Sequence, residues 1–212
     1  ELDTLQCGSR ERFCEAHAIN PRCPILVHIG RIAHEKNIEF LLDVLDRVRD
    51  EFPDVLMVIA GEGPARRSLL RKTAELGLQK NARFVGYLKR GPELWDCFCA
   101  GDAFLFASST ETQGLVLLEA MALGVPVVST AVMGTRDILD AGRGALVAEE
   151  TVEDFTGKVV RILSDRDLRY RLSAEAREYA AEWSAGRNAE RLVDFYESML
   201  NRYTTRNAAG DV

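Results

Sequence analysis

The sequence predicts an α/β fold, a doubly wound parallel six-stranded sheet with helices on both faces. Three observations predict it. Short strand-length runs, most of them largely apolar, recur about six times, with amphipathic stretches of helical period between them. The runs at 55–60 and 103–106 are wholly apolar and read as strands buried in the sheet, the first covered on both faces. Connections of helical length force parallel strands and right-handed crossovers.

Residues 1–23 hold only scattered apolar positions and read as a linker remnant. Residues 24–29 (P-I-L-V-H-I) make the first strand, ended by Gly30. Asn37 is placed as an N-cap, and Ile38, Leu41, Leu42, Leu45 and Val48 recur at helical spacing, so a helix spans 38–51 before Phe52-Pro53 stops it. Residues 55–60 give the second strand. Gly61-Glu62-Gly63-Pro64 turns the chain, Pro64 suits a first helical turn, and Leu69, Leu70 and Leu76 carry the helix to Gly77. The third strand is 82–86, and Gly91-Pro92 opens a helix through Leu94, Trp95 and Phe98. The fourth, 103–106, delivers the chain into a polar loop. A helix over 115–123 ends at Gly124, and strands at 126–130 and 144–147 complete the sheet. Helices alone follow: one capped by Thr151, one started by Asp167, one near 187–200. The main domain is thus 24–182, the last helix falls within 183–200, and the polar tail 201–212 frays.

Among 212 residues, 47% are apolar and 28% charged, the composition of a soluble domain with one sizeable core. A net charge of −6 argues against a nucleic-acid surface, which needs clustered positive charge. No apolar run reaches the ~18 residues of a membrane span. The five cysteines match neither a disulfide framework nor a zinc pattern and read as reduced thiols of a cytoplasmic protein. His17, His28 and His34 are scattered, so no metal site is expected.

Ligands of doubly wound sheets bind beyond the carboxyl ends of the strands. Five glycine-rich or charged loops lie there: 30–37, 61–64, 86–90, 108–114 and 130–135. The helix that opens after Gln113-Gly114 presents unpaired amides and a positive dipole end, which suit phosphate. Arg31 and Lys36 offer a guanidinium fork and a point charge. Glu119 lies about one and a half turns into the helix and can accept two hydrogen bonds from a vicinal diol such as ribose. Alone it reads as a solvated helix charge; its neighbours assign it. Glu111 precedes the helix and is placed on the far side of the phosphates. Gly61-x-Gly63 has Arg66 where a dinucleotide fingerprint has its third glycine, so it reads as close backbone approach near ribose or sugar. Arg66, Arg67, Arg71 and Lys72 read as a solvated face, and Trp95 and Trp183 as packing residues. A ligand with ribose, diphosphate and a hydroxyl-rich group fits this array: a nucleotide sugar.

The motifs G-R-I-A-H-E-K-N, I-A-G-E-G-P, F-V-G-Y-L, E-T-Q-G-L-V-L-L-E-A-M-A-L-G-V-P-V-V and G-T-R-D occur in that order. Together, over 24–200, they resemble the donor-binding domain of retaining glycosyltransferases of family four, a Rossmann-like unit that is the C-terminal half of a GT-B architecture. The resemblance implies that Arg31 and Lys36, on the loop opened by Gly30, hold the donor diphosphate and stabilise it as leaving group. It implies that Glu119 binds the ribose hydroxyls and Glu111 the transferred sugar. The backbone N–H groups of Gly114, Leu115 and Val116 would complete the phosphate cradle, Gln113 and Gly63 would belong to the donor site, and the backbone around Tyr87 and Leu88 would meet the base. No metal or other cofactor is implied; the donor is a UDP-sugar, or a GDP-sugar. The family has Phe in many members where Gln113 stands, and E-T-Q-G-L leans towards a lipid acceptor. Asp137 stands where Glu is commoner, which leaves its role near the sugar open. The resemblance implies an acceptor-binding half ahead of these residues, with Glu1 expected near the end of the inter-domain linker. The last helix would cross towards that half, and its apolar face, if bare, would favour self-association. The resemblance implies a cytoplasmic enzyme, peripheral at the inner face of a membrane through the full-length protein. A nucleotide-sugar epimerase of the same architecture and a non-catalytic nucleotide-binding module are the alternatives.

Overall fold

A computed structural model gives the structure and describes residues 5, 8–139 and 142–208, of which 200–208 by backbone alone. The strands are β1 (Ile25–Ile29), β2 (Leu56–Ala60), β3 (Ala82–Gly86), β4 (Ala103–Phe106), β5 (Val127–Ser129) and β6 (Ala145–Val147). They form one parallel sheet in the order β3-β2-β1-β4-β5-β6. The chain winds outward from β1 to β3, then returns past β1 to lay down β4. The loops after β1 and β4 therefore diverge around a crevice, the usual ligand position in such sheets.

The helices are α1 (Arg10–Ala16), α2 (Ile38–Glu51), α3 (Arg66–Glu75), α4 (Pro92–Ala100), α5 (Leu115–Ala122), α6 (Gly134–Leu139), α7 (Val152–Ser164), α8 (Arg166–Ala181) and α9 (Ala185–Ala208). Strand side chains alternate between two cores. Val27, Val58, Phe104 and Val127 pack with Phe13 of α1, Phe98 of α4, Met121 of α5 and Tyr179 of α8. Leu26, Met57, Leu105 and Val128 pack with Leu41 of α2, Leu69 of α3 and Phe155 of α7. Each such side chain contributes about 1.5–3 kcal/mol when fully buried.

Several expectations are corrected. Residues 10–16 of the expected linker remnant form α1, which buries Phe13 and Cys14. Arg10 donates to the carbonyls of Ala100 (2.6 Å) and Cys23 (2.7 Å) and pairs with Asp102 at 3.2 Å. Arg12 grips Asp96 with two bonds, at 2.9 and 2.6 Å. Asn37 stands at the start of α2, but its left-handed backbone (φ 52°) turns the side chain away, and its amide donates to Glu150 at 2.9 Å instead of capping. Asp165, not Asp167, caps α8 by accepting from the Leu168 amide at 2.8 Å. The chain stays helical through residues 201–208 of the expected frayed tail, and residues 209–212 lie outside the described ones. Cys14, Cys23 and Cys97 are buried thiols that burial pushes up in pKa; Cys7 lies outside the described residues. On α9, Leu192, Val193, Phe195, Tyr196 and Met199 are all exposed. No described helix is long and apolar enough to cross a membrane.

Candidate functional site

The loop after β1 is laced to the loop after β2. The amides of Gly30 and Ile32 donate to the carbonyls of Ala60 (3.0 Å) and Glu62 (2.9 Å), and the Ala65 amide returns a bond to Ile32 at 3.0 Å. A Cβ on Gly63 would overlap the Ile32 carbonyl. Gly63 thus lets the two loops pack backbone to backbone. Beyond Arg31, a short 3-10 turn (His34–Lys36) throws Lys36 across the switch point towards β4.

The loop after β4 meets it there. The Ser109 amide donates to the Glu35 carbonyl at 3.1 Å. Lys36 Nζ then donates to Glu111 Oε2 at 2.8 Å, and it lies 5.7 Å from the centre of the Phe106 ring. The other oxygen, Glu111 Oε1, accepts from the amides of Gly114 (3.1 Å) and Gln113 (3.4 Å). Burial pushes the Glu111 carboxyl up in pKa, but the Lys36 and Gly114 hydrogen bonds outweigh it and hold the group below the usual range. Glu111 thus sits on the mouth of α5 itself, where the sequence put it on the far side of a phosphate. α6, unforeseen from the sequence, braces this loop: the Gly134 amide donates to the Glu111 carbonyl at 3.0 Å, and a Cβ there would overlap the Thr112 carbonyl. Gln113 and Leu115 are exposed, and Val116 is half-buried against the core.

A cavity of about 480 Å³ opens beyond the carboxyl ends of β1, β2 and β3. Gly30, Arg31, Glu62, Tyr87, Leu88 and Arg90 line it. Tyr87 is exposed, and Leu88 is buried at the cavity wall. Glu119 meets this group through Arg90, whose Nη1 lies 3.0 Å from Glu119 Oε1. The site residues therefore fall into two neighbouring groups. Lys36, Glu111, Gln113 and Gly114 gather at the helix mouth; Gly30, Arg31, Leu88 and, through Arg90, Glu119 gather at the cavity. Sequence reasoning missed Arg90. Its signal was the cation pair Lys89-Arg90 directly after F-V-G-Y-L, on the loop that leaves the carboxyl end of β3.

Beneath both lies His28, fully buried, with Nδ1 3.0 Å from the Leu105 carbonyl. Burial pushes its pKa down to about 4, so the ring is neutral and carries its proton on Nδ1. Among the described residues no cluster of His, Cys, Asp or Glu is placed to hold a metal ion.

Residues 9–179 match the family described as "Glycosyl transferases group 1". The chain is 36% identical over 162 residues to sulfoquinovosyl transferase SQD2 of Arabidopsis thaliana, covering 74% of this chain and 30% of that protein. It is 31% identical over 183 residues to a GDP-mannose-dependent alpha-(1-6)-phosphatidylinositol dimannoside mannosyltransferase of Mycobacterium tuberculosis, covering 86% and 47%. The chain thus spans less than half of either relative. Among solved structures, Alr3699/HepE of Anabaena in complex with UDP superposes with a TM-score of 0.78 at 18% identity, over 89% of this chain and 52% of that one. The fold is the six-stranded parallel unit of GT-B glycosyltransferases. The chain belongs to the group 1 glycosyl transferases.

Proposed function

We propose that this chain is the donor-binding half of a retaining glycosyltransferase of family four, which moves a sugar from a nucleotide-sugar donor to an acceptor. One observation carries the reading: a helix mouth holding a lysine and a carboxylate, beside a cavity of about 480 Å³, at the switch point of a parallel sheet. The donor diphosphate lies over the mouth of α5, against the amides of Gly114, Leu115 and Val116. Arg31 and Lys36 stabilise the charge that grows on it as the glycosidic bond breaks. Glu119 accepts from the ribose hydroxyls, and the backbone at Leu88 meets the base. Glu111, released from the helix mouth, turns to the transferred sugar. The acceptor hydroxyl attacks the anomeric carbon on the face the diphosphate leaves. One C–O bond forms as the other breaks, and the departing phosphate oxygen takes the proton. No nucleophile from the protein is needed, and no metal or other cofactor is assigned.

A UDP-sugar is the first choice of donor and a GDP-sugar the second. The UDP-bound relative in the fold and the GDP-mannose-dependent relative in sequence support these two. The acceptor is a lipid or a glycan, held by an N-terminal half towards which α9 turns its apolar face. The enzyme works in the cytoplasm, at the inner face of a membrane. The isolated chain binds donor and does not transfer sugar. Calorimetric titration with UDP and GDP tests this, with Arg31→Ala and Glu119→Ala beside the parent. Each loss of a charge-assisted hydrogen bond, ~1.5–3 kcal/mol, weakens binding roughly ten- to hundredfold. A parent that binds neither nucleotide, or two variants that bind as the parent does, would overturn the assignment.

A further inference from the structure

We propose that Arg90 is a positioning residue for Glu119, and that the pair sets recognition of the ribose hydroxyls of a nucleoside diphosphate. This rests on the donor site proposed above. Arg90 stands on the loop between β3 and α4 and lines the cavity; Glu119 stands on α5, and Arg90 Nη1 meets Glu119 Oε1 at 3.0 Å. The pair therefore spans the gap between the loop at one end of the cavity and the helix whose mouth faces the other half of the site. The two partners are unequal: the Glu119 side chain is 16% exposed and that of Arg90 51%.

A carboxylate so far from water needs a counter-charge and a fixed orientation, and the planar guanidinium supplies both. One contact on Oε1 uses only part of the acceptor capacity of a carboxylate, which has about four lone-pair positions. The remainder is held in a set plane for hydroxyls entering the cavity. A vicinal diol then meets acceptors already in place, so less ordering cost opposes its binding. Lys36, the cation across the switch point, is engaged by Glu111 at 2.8 Å and serves the other half of the site. A flexible ammonium at position 90 would keep the charge and lose the plane.

The test compares UDP, 2′-deoxy-UDP and inorganic pyrophosphate by calorimetry on the parent chain, Arg90→Ala and Arg90→Lys, each checked by thermal melting. The parent is expected to prefer UDP over the 2′-deoxy compound by about tenfold, the worth of one charge-assisted hydrogen bond. Arg90→Ala should cut that preference below about threefold and leave pyrophosphate affinity within about twofold, because an exposed charge away from the helix mouth is screened. Arg90→Lys should restore only part of the preference. A merely structural ion pair would shift all three ligands together, and a competitor of the ribose would make Arg90→Ala bind UDP more tightly. Either result overturns the positioning role, as does a parent that does not discriminate the 2′-hydroxyl. A parent that binds UDP, with discrimination unchanged in Arg90→Ala, sinks this inference alone. A parent that binds neither UDP nor GDP sinks the donor site and this inference with it.

Discussion

The two halves of the site are built on the same pieces, a cation and a carboxylate, and they differ in state. At the helix mouth Lys36 and Glu111 are both mostly buried, 2.8 Å apart, and the carboxylate also holds the first amides of α5. That half is closed on itself. At the cavity, Arg90 is half exposed, and about 480 Å³ stands open beside it. That half can take a ligand by addition. The difference teaches that good anion-binding geometry and readiness to bind are separate properties. A phosphate arriving at the helix mouth must exchange with Glu111, whereas a nucleoside arriving at the cavity displaces no protein group of that kind.

Removing Lys36 breaks the comparison most strongly. In Lys36→Met the helix mouth keeps its carboxylate and loses its cation, so the local charge there becomes negative. UDP affinity is expected to fall about hundredfold, near 3 kcal/mol, the upper value for a charged hydrogen bond. Pyrophosphate binding should vanish while uridine, confined to the open half, binds as before. Titration with the three compounds checks this. An equal fall for uridine and UDP would show that the halves are not separable.

The next effect is on stability and comes from beneath the closed half. His28 stacks 6.2 Å from Phe106, the ring that Lys36 overlies. Folding holds its pKa near 4 against an ordinary 6.5, first through burial and further through the charge of Lys36. Between those values the unfolded chain binds the extra proton, so stability is full above about pH 6.5 and falls as acid is added. From pH 7.5 to 5 the loss is about 2 kcal/mol. His17 shifts the same way, through burial and Arg83. The carboxylate of Glu111 acts lower, losing its contribution as the pH falls below its ordinary 4.5. Urea unfolding at both pH values should therefore show His28→Phe losing about 2 kcal/mol less than the parent. Equal losses would mean that the imidazole is not held neutral by the fold.

The architecture is legible in the sequence because β2 and β4 are wholly apolar and buried on both faces, and β1 and β2 run straight into glycine. Val58 and Phe104 announce buried strands wherever they pack. The site loops were legible for the same reason, since a parallel sheet carries every strand end to one edge. The ion pairs were not. Lys36 and Glu111 lie 75 positions apart, and only the turn of the chain past β1 brings them together. Glu111 was placed across from the helix mouth because a sequence does not show that a short polar loop folds back to cap its own helix. α1 was hidden because Arg10 and Arg12 look solvated until Asp102 and Asp96 reach them. The sequence starts α8 at Asp167; the extended backbone at Asp165 (φ −102°, ψ 97°) makes that earlier residue the cap.

The smallest expected effect is the most telling about the closed half. In Glu111→Gln the side-chain oxygen can still accept from the Gly114 amide, but the charge that holds Lys36 is gone. If the carboxylate stands where a phosphate must go, its removal should tighten pyrophosphate binding by roughly fivefold, near 1 kcal/mol, the scale of a charge at a helix terminus. The same variant should lose any preference for a UDP-sugar over UDP, because the group assigned to the sugar is no longer a charged acceptor. The two effects have opposite signs on two ligands of one site, which a general loss of structure cannot produce. Weaker or unchanged pyrophosphate binding would mean that Glu111 and the anion do not compete for the helix mouth. The closed half would then be a scaffold for the loop, and the difference between the halves would be one of packing rather than of readiness.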